Sequence, residues 1–176
     1  DANIDIVQKA YEYSAKAHLG QSRRSGEAYI SHPIEVARNL VKLKMDENTL
    51  AAGFLHDTIE DTLSTPEEIQ ELFGEEIFQL VDGVTKISKI QFSSYEENQA
   101  ENYRKMIFAM AKDIRVVLIK LADRTHNMQT LEPLSEERQR RIARETIDIY
   151  APIANRLGIG WLKTELENGS FRYLYP

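Results

Sequence analysis

Residues 113–128 read DIRVVLIKLADRTHNM, and their interpretation sets the fold class. The apolar run VVLI (116–119), taken alone, would suit a short buried strand. The full stretch is too long for that and is fitted better by one helix from about Ile114 to Gln129. Nowhere else does an alternating strand pattern extend beyond a few residues. Upstream, Ile4, Val7, Tyr11, Ala15 and His18 recur at helical spacing, and Gly20 offers a stop. Pro33 suits the first turn of a helix running to about Leu43, with His32 expected at its N-cap. Asp46 can cap a helix through Leu55. Thr65-Pro66-Glu67-Glu68 reads as a capping box, and so does Ser94-Tyr95-Glu96-Glu97, which would open a helix to about Lys112. A last core helix is expected from Ser135 to Asn155. The reading is all-α, with segment 83–95 as the expected mobile connection.

Composition narrows the function classes. A chain of 176 residues suggests one domain with a core of its own. It has no cysteine, which excludes disulfides and thiolate metal sites and fits a reducing cytoplasm. No apolar run approaches the roughly 18 residues a bilayer span needs. The first residues lack the basic and apolar regions of a secretory signal. A net charge of −6 argues against a general nucleic-acid binder. Local positive charge at Arg23-Arg24 and from Arg138 to Arg144 still allows a small anionic ligand.

Four positions carry the clearest chemistry: His32, the adjacent pair His56-Asp57, and Asp123. Two imidazoles and two carboxylates suit a borderline divalent metal such as Mn²⁺. Their wide separation in sequence fits a site assembled between helices. Taken singly, each also has an ordinary reading: a capping His, or an Asp paired with neighbouring Arg124. A helix through 114–129 puts Asp123, Asn127 and Thr130 on one face, with an amide and a hydroxyl beside the carboxylate. Helical continuation of HDTIEDT would place Glu60 one turn beyond His56 and Asp61 one turn beyond Asp57. Those carboxylates could orient water, relay a proton, hold a second ion or simply face solvent.

The words RRSGEAYISHP (23–33), FLHDTIEDT (54–62), LIKLADRTHNM (118–128) and YAPIANRLGI (150–159) resemble the hydrolase domain of the RelA/SpoT family. The resemblance implies an HD-domain helical bundle with a metal site between helices. It implies Mn²⁺-dependent removal of pyrophosphate from the ribose 3′ position of ppGpp and pppGpp, giving GDP or GTP. It makes His32, His56, Asp57 and Asp123 the metal ligands, and Glu60 and Asp61 the catalytic pair. Bound metal would polarise a phosphoryl oxygen and acidify a coordinated water, and acid should release it because its His ligands must be neutral.

The same resemblance assigns nucleotide binding to Arg23, Ser25, Asn127 and Thr130, with Leu134 as an apolar wall. Arg24 stands where the family often has Lys. Arg23 could stack on a purine or bind phosphate. His18 reads as a histidine at the core edge, and His126 as a structural neighbour of the metal ligands. Residues 1–156 would form the hydrolase domain. Residues 157–176 would form a helix leading towards an absent synthetase domain, with synthetase and regulatory domains following in the full-length protein. A cytoplasmic location is expected, with no membrane and no direct nucleic-acid partner. Two alternatives are an HD phosphohydrolase of other nucleotides and a catalytically silent, nucleotide-binding regulatory HD domain.

Overall fold

The computed structural model describes residues 3–88 and 113–176. Within them the helices are α1 (Ile4–Ala17), α2 (Ser31–Lys42), α3 (Glu47–Leu55), α4 (Thr58–Asp61) and α5 (Pro66–Ser88). After residue 112 come α6 (Ile114–Gln129), α7 (Glu136–Glu145), a π-helical turn (Thr146–Tyr150), α8 (Ala151–Arg156) and α9 (Gly160–Leu174). No strand occurs among the described residues; Ser22 and Ala28 form an isolated antiparallel bridge. The all-α expectation holds. The proposed capping box at 94–97 and its helix lie outside the described residues.

The expected caps form where the sequence puts the right acceptors. The Asp46 carboxylate accepts from the Thr49 N–H at 2.7 Å, and Thr65 Oγ1 accepts from Glu68 N–H at 3.2 Å. Asp113 caps α6, taking the Arg115 N–H at 2.9 Å. Four details differ from expectation. In α1 the buried positions are Ala10 and Ser14, whereas Ile4 is 70% exposed. Ile30, not His32, is the N-cap of α2, so His32 sits inside the first turn. Helix α5 continues through Ser88 because Val84 and Ile87 are buried. Burying each of these side chains stabilises by about 1.5–3 kcal/mol, more than the roughly 1 kcal/mol that Gly83 costs a helix. The helix expected from Ser135 to Asn155 runs from Glu136 to Arg156, with a π-helical turn inside it just ahead of Pro152. Proline has no N–H for the carbonyl four residues back and its ring collides with it, so the backbone register slips there.

Helix α6 is the central strut. It packs against α2, α5 and α9, while α3 lies between α1, α2 and α5. Leu118, Ile119, Leu121 and Ala122 bury one flank of α6. Gly53 lets α3 approach α2 closely: a Cβ there would stand 2.5 Å from Leu40 Cδ1. That approach brings the start of α2, carrying His32, to the end of α3, carrying His56. Gly74, at φ 84°, supplies the kink inside α5 that a side chain would strain.

Candidate metal centre and nucleotide cleft

The chain has four histidines, and all four gather at one centre. His18, His32, His56 and His126 are 3%, 3%, 4% and 6% exposed. His32 enters from the first turn of α2. His56 and Asp57 occupy the break between α3 and α4, and Asp123 comes from the middle of α6. His32, His56 and Asp57 each offer a ligand atom within 4.8 Å of the others, a group able to hold a divalent metal ion. Asp123 Oδ1 lies 3.2 Å from His32 Nε2 and 3.9 Å from His56 Nε2, so the fourth predicted residue faces the same point.

The surroundings fit a cation. The two imidazoles turn their Nε2 atoms inward because their Nδ1 atoms are engaged elsewhere. His56 Nδ1 meets the Gly53 carbonyl at 2.8 Å, and His32 Nδ1 meets His126 Nδ1 at 2.8 Å. Such outer partners fix the ring orientation of metal-binding histidines. Burial holds His32 below its ordinary pKa, and it holds His126 down at about 4, helped by nearby His32 and Arg23. Both are therefore neutral near pH 7. Asp57 is buried, with Oδ1 facing His18 Nε2 at 3.4 Å and Oδ2 3.6 Å from His56 Nε2. Burial works to raise the Asp123 carboxyl, but Lys120 and the imidazoles of His32 and His56 outweigh it and keep it ionised.

A cleft of about 520 Å³ opens beside this group. Its walls include all twelve residues nominated from the sequence: Arg23, Arg24, Ser25, Leu134, Asn127 and Thr130 on the nucleotide side, Glu60 and Asp61 on the acidic side, and His32, His56, Asp57 and Asp123 between. Glu60 and Asp61 are exposed on α4. Asp61 lies one turn beyond Asp57, as the helical reading expected, its N–H donating to the Asp57 carbonyl at 2.9 Å, while Glu60 is separated from His56 by a turn. The backbone breaks at His56-Asp57, and Asp57 then restarts the helix as the N-cap of α4. Arg23 donates to Asn127 Oδ1 at 3.1 Å and to Thr130 Oγ1 at 3.0 Å. Asn127 Nδ2 donates in turn to Asp123 Oδ1 at 2.6 Å. The Asn127 amide thus ties the loop bearing Arg23 to the Asp123 carboxylate.

Several residues of the site escaped the sequence reading. Lys120 donates to Asp123 Oδ2 at 2.7 Å and to Ser88 Oγ at 3.0 Å. Its i, i+3 spacing from Asp123 was the available signal. Arg124, the partner in the ordinary alternative reading of Asp123, pairs with Glu145 at 3.0 Å and lies over the Tyr150 ring at 4.3 Å. Adjacent residues on a helix point about 100° apart, so Arg124 cannot share Asp123's direction. His18 reaches Asp57 Oδ1 at 3.4 Å, closer to the site than a core-edge residue. Burial opposes its charge, but Asp57 and Gln21 together raise its pKa. Tyr29, inside RRSGEAYISHP, donates to the carboxylates around it and had no spacing to announce it.

This bundle, with a His-Asp group buried at the break between two helices, matches known proteins. The HD domain family's sequence profile covers residues 10–160. The chain belongs to the HD domain family, and within it to the RelA/SpoT group. It is 65% identical, over its whole length, to 24% of a GTP pyrophosphokinase of Myxococcus xanthus. It is 55% identical over 98% of its length to 25% of the bifunctional (p)ppGpp synthase/hydrolase SpoT of Escherichia coli K12. The chain therefore spans about a quarter of the length of these relatives. A solved structure described as a metazoan ortholog of SpoT that hydrolyzes ppGpp superposes with TM-score 0.67 at 28% identity, over 95% of this chain and 94% of that one. Among the described residues, no helix is long and apolar enough to cross a membrane.

Proposed function

We propose that this chain is a Mn²⁺-dependent hydrolase of the alarmones ppGpp and pppGpp, acting in the cytoplasm. It releases pyrophosphate from the ribose 3′ oxygen and leaves GDP or GTP. The observation that carries the reading is the shared cleft, where the His-Asp group, an acidic pair and an Arg-Asn-Thr cluster line one cavity. The names of the relatives support it, since several are 3′-pyrophosphohydrolases at 52–58% identity.

His32, His56, Asp57 and Asp123 hold the ion in this reading, and the mixed imidazole and carboxylate set is one Mn²⁺ accepts. When bound, the ion supplies Lewis acidity at the phosphoryl group. In the reaction a water oxygen bonds to the 3′ α-phosphorus while the bond from phosphorus to the ribose 3′ oxygen breaks. The attacking water loses a proton and the 3′ oxygen gains one. Glu60 and Asp61, on the cleft side of Asp57, are the groups assigned to these proton transfers. Arg23, Arg24, Ser25, Asn127 and Thr130 bind the nucleotide, with Leu134 against the base. Residues 1–156 are taken as the hydrolase unit. The helix after them, anchored by fully buried Leu162 and Leu166, leads towards a synthetase domain in the longer protein.

The test is to incubate the Mn²⁺-loaded chain with ppGpp and resolve the products by chromatography. GDP and pyrophosphate are expected. Release of inorganic phosphate would overturn the bond assignment, and binding without turnover would make the domain a nucleotide-sensing module.

A further inference from the structure

Tyr29 sits at the end of the loop that carries Arg23, half-buried in the cleft wall. Its hydroxyl lies 2.6 Å from Asp57 Oδ2 and 2.8 Å from Asp61 Oδ2. One phenol therefore touches both a metal-facing carboxylate and a member of the acidic pair. Its ring is held from two sides. His18 stacks on one face at 4.3 Å with an interplanar angle of 17°, and His32 meets the ring edge-on at 6.1 Å. The backbone is fixed as well: Tyr29 N–H donates to the Gln21 carbonyl at 3.1 Å, next to the Ser22–Ala28 bridge.

A phenol has one proton to donate, and two carboxylates compete for it. A cation on Asp57 would satisfy that carboxylate electrostatically and release the hydroxyl to Asp61. Asp61 is exposed on a four-residue helix, and the side-chain hydrogen bond the structure gives it is Tyr29's. We propose that Tyr29 is a positioning residue whose hydroxyl couples the metal ligand Asp57 to Asp61 and fixes the aim of both. This rests on the hydrolase reading above for what Asp61 does, but not for the contact with Asp57. Partners that orient a metal ligand typically change metal affinity or activity by about 10- to 100-fold when removed.

The experiment compares Tyr29→Phe, which loses only the hydroxyl, with Tyr29→Leu, which loses the ring as well. Tyr13→Phe is the control, since its hydroxyl bonds Ser64 away from the cleft at 2.9 Å. Mn²⁺ affinity is measured by chelator competition, kcat and KM for ppGpp at saturating Mn²⁺, and folding by thermal melting. Both Tyr29 variants should melt near wild type. Both should bind Mn²⁺ about tenfold or more weakly and lose about tenfold or more in kcat with little change in KM, while Tyr13→Phe stays at wild-type values. A Phe variant with wild-type Mn²⁺ affinity and kcat, beside an impaired Leu variant, would reduce Tyr29 to ring packing and overturn the proposal. If the wild-type chain binds Mn²⁺ but leaves ppGpp intact, the reaction assignment fails alone, because the affinity comparison still decides the role of Tyr29.

Discussion

Helix α6 carries two charge clusters that look alike in composition and differ in what they leave unfinished. At its N-terminal end Arg115 reaches Asp113 at 2.7 Å, Glu76 at 2.6 Å and Asp46 at 3.3 Å. A quarter of the Arg115 side chain is exposed, and its guanidinium is stabilised first by the Asp113 hydrogen bond. Two turns on, Asp123 is buried against Lys120 and two imidazoles, with buried Asp57 beside the same imidazoles. The first cluster closes on itself and faces solvent, so it joins α3, α5 and α6 and does nothing more. The second is buried in the wall of the cleft, where imidazole and carboxylate atoms converge closely enough to hold a cation. The first arrangement is already complete, whereas the second can still accept a cation.

The largest effect that can separate the two is Asp123→Ala against Arg115→Ala. Losing Asp123 removes a carboxylate proposed to hold the ion and strands the Lys120 cation, so metal content and turnover should vanish together. Uncompensated buried charge also costs about 3–5 kcal/mol. Arg115→Ala should keep both metal and turnover and lower stability by about 1 kcal/mol or less, as solvent-exposed pairs do. Elemental analysis and melting curves of the two variants check this, and full metal occupancy in Asp123→Ala would sink the assignment.

Next comes the acidic side of the cleft. Glu60→Gln with Asp61→Asn should leave metal and nucleotide bound while lowering kcat by about 10²- to 10⁴-fold, the usual range for removing general acid–base groups. Calorimetric GDP binding together with steady-state rates on ppGpp tests it. Unchanged turnover would return both carboxylates to a solvent-facing role.

A smaller effect is expected from geometry alone. Gly53→Ala places a methyl 2.5 Å from Leu40 Cδ1, so α2 and α3 must part or Leu40 must turn. Overpacking of this kind costs about 1–3 kcal/mol. Because His32 and His56 ride on those helices, Mn²⁺ affinity should drop along with melting temperature. A variant that melts early yet binds Mn²⁺ normally would show that Leu40 absorbs the strain by itself.

How much of this was legible depends on the reach of each interaction. Helix α6 matched its reading from Ile114 to Gln129, because caps and apolar periodicity are local properties. The cleft residues were nominated through matching words rather than through spacing, and the structure lines the cavity with them all. What escaped is long-range. Nothing near Tyr29 in sequence states that Asp57 and Asp61 will flank its hydroxyl. The partner of Arg124 is Glu145, 21 residues away on α7, and no local spacing announced it. The end of α3 at Leu55 matched its reading, while the turn at His56-Asp57 before the helix restarts had no local signal. The π turn before Pro152 was foreshadowed only by the proline.

The finest discrimination between the clusters is by pH. Hydrogen bonds from Arg115 hold Asp113 below its ordinary carboxyl pKa. Burial works to raise Asp46, but hydrogen bonds from Thr49 and the charge of Arg115 outweigh it. Folded carboxylates with depressed pKa bind protons less readily than the unfolded chain's. Their contribution is therefore complete above the unfolded value of 3.8 and is lost as pH falls through the lower folded values. Buried Asp57 and Asp123 also take up protons on acid unfolding, so the wild-type curve alone cannot isolate this cluster. The difference between wild type and Arg115→Gln can. It should be under about 1 kcal/mol at pH 6, shrink as pH drops below the unfolded value, and fade at 1 M salt, where the screening length is only about 3 Å. Chemical denaturation in urea across pH 3 to 6 measures it. A difference that persists unchanged at pH 3 would mean Arg115 acts through packing of its stem, and the cluster would no longer count as electrostatic.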